Sequence, residues 1–143
     1  MKIFFDTNVI LDVLLDREPF VRDALYLLAR VERSEVTGCI CATTVTTIYY
    51  LVRKVLGTKE ATRHIKTLLS LFEIAPVNRA VLEAALDSKF SDFEDSVLHA
   101  SALTVGADCI VTRDLSGFKK AKVPVYTPDE LVSALKGLMK RKR

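Results

Sequence analysis

Apolar and polar positions along the chain follow two periods that alternate from one end to the other. Lys2–Phe5 is a short apolar run that stops at Asp6-Thr7-Asn8, which predicts a first, central strand. Val21, Ala24, Leu25, Leu28 and Val31 recur at helical spacing and predict a helix from about Pro19 to Arg33, with the proline in its first turn. Val36 to Cys41 reads as a second strand. The stretch from Thr43 to Val55 carries two signals. Its β-branched residues favour a strand, whereas Val45, Ile48, Tyr49 and Val52 suit one helical face and Arg53 and Lys54 suit a last turn. We read it as a helix ended by Gly57, with Thr58 capping the next helix from Lys59 to Leu71.

Phe72 to Ala75 predicts a third strand closed by Pro76, and Asn78 caps a helix running to Asp87. Ser91-Asp92-Phe93-Glu94 has capping-box spacing, with Ser91 at N-cap and Glu94 at N3. The helix it starts runs to about Val105, stops at Gly106 and turns Phe93 and Val97 toward the core. Cys109 to Thr112 and Val123 to Tyr126 read as strands four and five. Thr127-Pro128-Asp129-Glu130 opens a last helix over about Asp129 to Leu138. Strands alternating with helices predict an α/β fold, a three-layer α/β/α arrangement around a mainly parallel five-stranded sheet covered on both faces. No linker or repeat divides the chain, so residues 1–139 read as one domain and 140–143 as a basic tail.

Composition adds bounds. The 143 residues are 50% apolar and 27% charged, enough for one folded domain with its own core. No apolar stretch reaches membrane-span length, and no secretory signal opens the chain. Three cysteines cannot pair completely. Cys39 and Cys41 alternate onto one strand face, and the three read as buried free thiols in a reducing, cytoplasmic compartment. The net charge of +3 is uneven: the last four residues supply four of the 21 basic side chains, leaving 17 against 18 acids. Such a tail either attracts a nucleic-acid backbone or is simply a solvated terminus.

The candidate chemistry lies in where the acids fall. Sites in open parallel sheets form beyond the carboxyl ends of the strands. Asp6 directly follows the first strand, Asp114 follows the fourth, and Asp92 and Asp95 sit at i and i+3 at the start of the helix entering strand four. Three separate segments thus bring carboxylates to one rim. Crowded carboxylates repel one another or take up protons unless a cation joins them, and hard divalent cations prefer oxygen donors. Each acid also has a plain structural role: Asp92 and Glu94 in a first helical turn, Asp6 in an Asx-turn, Asp114 capping a turn, and Asp12 and Asp16 as exposed turn residues.

These residues carry a resemblance. Phe5-Asp6-Thr7-Asn8-Val9-Ile10-Leu11-Asp12 resembles the first motif of the PIN domain family. Asp92-Phe93-Glu94-Asp95 with the helix to Ala102 resembles its third acidic motif, and the segment from Gly106 to Asp114 its last. Phe118 and the stretch from Pro124 to Pro128 also fit, so the likeness spans nearly the whole chain. The resemblance implies a metal-dependent ribonuclease in which Asp6, Asp95 and Asp114 hold Mg²⁺ or Mn²⁺, with Asp92 as an additional acid. It further implies a homodimer that works as the toxin of a toxin–antitoxin pair, silenced by a small antitoxin protein. The family's usual second-motif glutamate is absent: Thr47 stands where it is expected, and no Asp or Glu lies between Glu35 and Glu60.

From this we expect hydrolysis of an RNA phosphodiester bond. Thr7, Asn8, Thr47 and Thr112 orient water or phosphate, Arg113 contacts phosphate, and Lys119, Lys120 and Lys122 widen a basic rim. His99, one turn beyond Asp95, is a secondary candidate for a ligand or proton donor. Two other classes compete. One is a catalytically weak or inactive RNA- or partner-binding PIN-like module, which the missing glutamate favours. The other is a phosphatase or response-regulator-like protein; the latter needs its phosphoacceptor after a middle strand, and the order here fits poorly.

Overall fold

The computed structural model describes residues 1–141, except for the side chain of Met139. The chain runs β1 (Lys2–Phe5), α1 (Thr7–Leu14), α2 (Val21–Glu32), β2 (Thr37–Cys41), α3 (Ala42–Leu56), α4 (Thr58–Leu71), β3 (Glu73–Ala75), α5 (Arg79–Asp87), α6 (Phe93–Thr104), β4 (Cys109–Val111), a 3₁₀ turn (Leu115–Phe118), β5 (Val125–Tyr126) and α7 (Pro128–Arg141). The five strands form one sheet in the order β3-β2-β1-β4-β5, and every pairing is parallel.

Strand alternation divides the core in two. Ile3, Phe5, Ile40, Cys109 and Val111 face one layer, where they meet Val9 and Ile10 of α1, Leu27 of α2, Ile48 of α3, Leu68 of α4 and Leu131 of α7. Phe4, Cys39, Cys41, Ala75 and Ile110 face the other, against Val81 and Ala85 of α5 and Val97 and Leu98 of α6. The three-layer expectation is therefore met. The three cysteines are buried and free, with Cys39 and Cys41 sharing a face as alternation requires. Gly38 is held by close approach: a Cβ there would lie 2.7 Å from the Phe72 ring and 2.9 Å from a Val31 methyl.

Local signals explain most boundaries. Asn78 caps α5 by accepting from the Val81 N–H at 3.1 Å. Thr127 and Glu130 close the expected capping box on α7, Glu130 accepting from the Thr127 N–H at 2.9 Å and Thr127 Oγ1 from the Glu130 N–H at 3.4 Å. The ambiguous segment is helical. Thr44, Ile48 and Val52 bury one stripe of α3, and Thr46 and Thr47 donate to the Thr43 carbonyl at 2.8 and 3.3 Å, so the β-branched side chains satisfy themselves within the helix. Thr58 does not cap α4, because Gly57 occupies the N-cap position.

Further expectations are corrected. The residues after Asp6 form α1 rather than a turn, so Asp12 is fully buried instead of exposed. The start of α6 is shifted by one residue: Asp92, not Ser91, is the N-cap and accepts from the Asp95 N–H at 3.0 Å. A carboxylate is the stronger acceptor at this position. Phe93 is the first residue of α6 and stays 50% exposed at the helix end, whereas Val97, one turn further along the same face, is buried, so of the two only Val97 reaches the core. At the C-terminus, Lys140 and Arg141 form the last turn of α7, and Lys142 and Arg143 of the expected tail lie outside the described residues. Among the described residues no helix is long and apolar enough to cross a membrane.

Candidate active site

The connection from β1 to α1 has one residue, Asp6, in extended conformation. Its backbone N–H prolongs the β1–β4 pairing by donating to the Val111 carbonyl at 3.0 Å. Its carboxylate caps α1, with Oδ1 accepting from the Thr7 N–H at 2.7 Å. Oδ2 accepts from the buried Thr112 hydroxyl at 2.7 Å, and the Asn8 amide lies 3.5 Å from the same oxygen. Thr112 Oγ1 accepts in turn from the Asp114 N–H at 3.0 Å, and Asp114 Oδ1 accepts from the Ser116 hydroxyl. One hydroxyl thus ties the acid after β1 to the acid after β4.

Asp95, at N3 of α6, arrives from the opposite layer. A Cβ on Gly117 would sit 2.5 Å from Asp95 Oδ2 and 3.1 Å from Asp114 Oδ2, so the two oxygens are separated by no more than the sum of those distances. Gly117 lies in the 3₁₀ turn, and only hydrogen at that position leaves space for both carboxylates. Asp6, Glu94 and Asp95 line one side of a cavity of about 290 Å³, with Thr7, Thr43, Thr44 and Thr47 around it and Leu82, Phe93, Val97 and Leu98 forming an apolar wall.

The electrostatics agree with this geometry. Burial pushes the Asp95 carboxyl up to about 7, helped by the neighbouring charges of Asp92, Asp6, Asp114 and Glu94. Burial also raises Asp6. Its hydrogen bonds from Thr112 and Thr7 oppose that rise, and Asp114 and Glu94 add to it. Among the described residues, no lysine or arginine forms an ion pair with Asp6, Asp92, Asp95 or Asp114. The cluster carries uncompensated negative charge, and its donors are all oxygens, which fits a hard divalent cation. Among the described residues no group of three or more Asp, Glu, His and Cys side chains converges tightly enough to hold an ion by direct ligation alone. An ion here would keep part of its water shell, as magnesium usually does.

The structure thus brings Asp6, Asp95, Asp114, Thr7, Thr47 and Thr112 to one rim. Asp92 is an exposed cap beside Asp95. Asn8 Oδ1 accepts from the Arg113 N–H at 3.4 Å, which anchors the loop after β4. Arg113 does not line the acidic cavity. Its guanidinium is held by the buried Asp12, at 2.7 Å from Nε and 3.1 Å from Nη2, and lies 4.0 Å from the centre of the Phe20 ring. His99 also points elsewhere: its Nε2 accepts from the Lys122 N–H at 3.0 Å and its ring stacks on Phe90. Burial and Lys122 lower the His99 pKa, as suits an unprotonated acceptor.

Glu94, Gly117 and the Asp12–Arg113 pair were not singled out as site residues from the sequence. Glu94 was hidden by its capping-box spacing. An arginine immediately before an acid, opposite an aspartate in the first helix, was the available hint of the second pair.

The fold and the site together define an α/β/α protein with an oxygen-donor acid cluster at the carboxyl edge of a parallel sheet. The chain belongs to the PIN domain family, whose model matches residues 2–116. It is similar to ribonuclease VapC1 of Aquifex aeolicus (strain VF5), 28% identical over 134 residues that make up 90% of this chain and 92% of that protein. Among solved structures, FitAcB from Neisseria gonorrhoeae matches with a TM-score of 0.67 and 25% identity, over 88% of this chain and 97% of that one. A toxin–antitoxin complex from Klebsiella pneumoniae matches with a TM-score of 0.66 and 22% identity, over 87% and 96%. The family resemblance read from the sequence motifs is borne out.

Proposed function

We propose that this chain is a divalent-metal-dependent ribonuclease that hydrolyses RNA phosphodiester bonds and acts as the toxin of a toxin–antitoxin pair. One observation carries the reading: carboxylates from three distant segments crowd one edge of the sheet, with no lysine or arginine ion-paired to them among the described residues, so that burial and mutual repulsion lift Asp95 to about 7. Membership of a family that generally depends on divalent metals supports it, as does the similarity to a named ribonuclease. The toxin–antitoxin complex among the structural relatives is in keeping with an antitoxin partner.

Asp6, Asp95 and Asp114 would hold Mg²⁺ or Mn²⁺, which supplies positive charge against the phosphoryl oxygens as charge develops on them. Asp6 is held in place by Thr112 and the α1 N-terminus, so its carboxylate need not reorganise when phosphate arrives. Burial and the neighbouring acids raise Asp95 to about 7, so the positive charge of the ion would also keep this carboxylate ionised. Thr7 and Thr47 offer hydroxyls to water or phosphate. Glu94 lines the cavity and supplies the carboxylate that α3 lacks at Thr47.

The test is cleavage of mixed RNA with and without Mn²⁺. Asp6→Asn is expected to lower metal-dependent cleavage by about 100-fold or more while the protein stays folded. Full cleavage by the variant, free of contaminating nuclease, overturns the assignment. Thr47 favours a second reading, a binding module without turnover, since it leaves α3 without an acid. That reading expects RNA binding and no metal-stimulated cleavage by the wild type.

A further inference from the structure

Phe93 breaks the pattern of the rest of α6. The helix buries Ser96 through Ala102, yet this aromatic, in its first turn, is half exposed and forms part of the wall of the acidic cavity. Leu82, 39% exposed on α5, lies in the same wall. Opposite them stand Thr43 and Thr47 of α3. The Thr47 hydroxyl donates its proton to the Thr43 carbonyl, which leaves its lone pairs free to accept from a ligand. A cavity of about 290 Å³ with an aromatic and aliphatic wall, hydroxyl acceptors and three carboxylates at its edge is too small for an extended ligand. It matches one flat ring system attached to a phosphate.

The other side of the acid cluster has the opposite charge. Gly117, between Asp95 and Asp114, also lines a depression of about 200 Å³ with Ser116, Lys89, Lys119 and Lys120. None of these three lysines forms an ion pair among the described residues. A polyanionic strand crossing the acids would leave its next phosphates on these lysines and present its base on the other side to Phe93.

We infer that the cavity walled by Phe93, Leu82, Thr43 and Thr47 is a nucleobase subsite, in which the base beside the reacting phosphate stacks on Phe93 and donates to Thr47. The inference rests on the nuclease reading for the identity of the reacting phosphate but concerns binding. Aromatic stacking is tolerant of base identity, whereas the hydroxyl acceptors favour a base edge that carries an N–H.

The experiment uses short single-stranded oligoribonucleotides carrying one 2-aminopurine at successive positions, bound in EDTA to the wild type, Phe93→Ala, Phe93→Tyr and Leu82→Ala. Quenching is expected at one position only. Phe93→Ala is expected to weaken binding roughly 10-fold and remove the quench, Phe93→Tyr to keep both, and Leu82→Ala to reduce both. Unchanged affinity and quenching in Phe93→Ala overturn the subsite. So does a Phe93→Ala variant that binds RNA normally but loses a small protein partner, which would make the wall a protein-docking surface. Phe93-dependent quenching without metal-stimulated cleavage by the wild type upholds the subsite and overturns the nuclease reading. Cleavage with Phe93-independent quenching does the reverse.

Discussion

At the scale of single residues, the site depends on protons as much as on positions. Asp95 holds its proton up to about 7 in the folded protein, against an ordinary value of 3.8 in the unfolded chain. Between those values the folded state binds the proton more tightly, so raising the pH through this window lowers stability, and above it the penalty is constant. In chelating buffer, Asp95→Asn should therefore gain thermal stability relative to the wild type as pH rises from about 4 to about 7. Parallel melting-temperature profiles for the two proteins would show that Asp95 is not the strained acid. The sequence displayed Asp6, Asp92, Asp95 and Asp114 because each follows a strand or opens a helix. It could not separate Asp92 from Glu94. That choice turns on a single residue of helix phase, and the stronger acceptor took the cap.

At the scale of elements, α1 and the β4 loop are clamped together. The Arg113 side chain pairs with Asp12 and its backbone N–H reaches Asn8, on either side of the Thr112–Asp6 hydrogen bond. Asp12 is fully buried, while the Arg113 side chain is 28% exposed, so the pair is asymmetric. Arg113→Met leaves a buried carboxylate whose remaining cation is Arg17, at 3.8 Å. It should cost about 3 kcal/mol in urea denaturation and slow cleavage through a loosened Asp114. A loss below about 1 kcal/mol would place the pair with ordinary surface bridges. The elements themselves were largely legible, since period and caps are local: Asn78, the Thr127–Glu130 box and the stripe of α3 all appear at their expected positions. The helix α1 was missed because its Asp6-Thr7-Asn8 start also reads as a turn.

For the whole molecule, the acid cluster joins both layers. Asp6 and Asp114 come from the strands at the sheet centre, Glu94 and Asp95 from α6 on one face, and Thr44 and Thr47 from α3 on the other. An ion that binds only this folded arrangement should stabilise the entire domain. At a Mn²⁺ concentration about 100 times its dissociation constant the gain is about 2.7 kcal/mol, or roughly 5–10 °C in melting temperature. Asp6→Asn should lose most of that shift. An equal shift in the variant would put the ion elsewhere.

The sequence alone determined the alternation of strands and helices, the two-faced strands, the family and the segments that carry the acids. All of these are encoded in contacts within a few residues or in motif spacing. Only the tertiary structure decided that Asp12 and Arg113 neutralise each other, that Gly117 leaves room for two carboxylates, and that Glu94 and Phe93 enter the cavity. Those outcomes depend on a strand order that sets β1 beside β4, and on side chains from distant segments competing for the same small volume. Local periodicity carries no information about that competition.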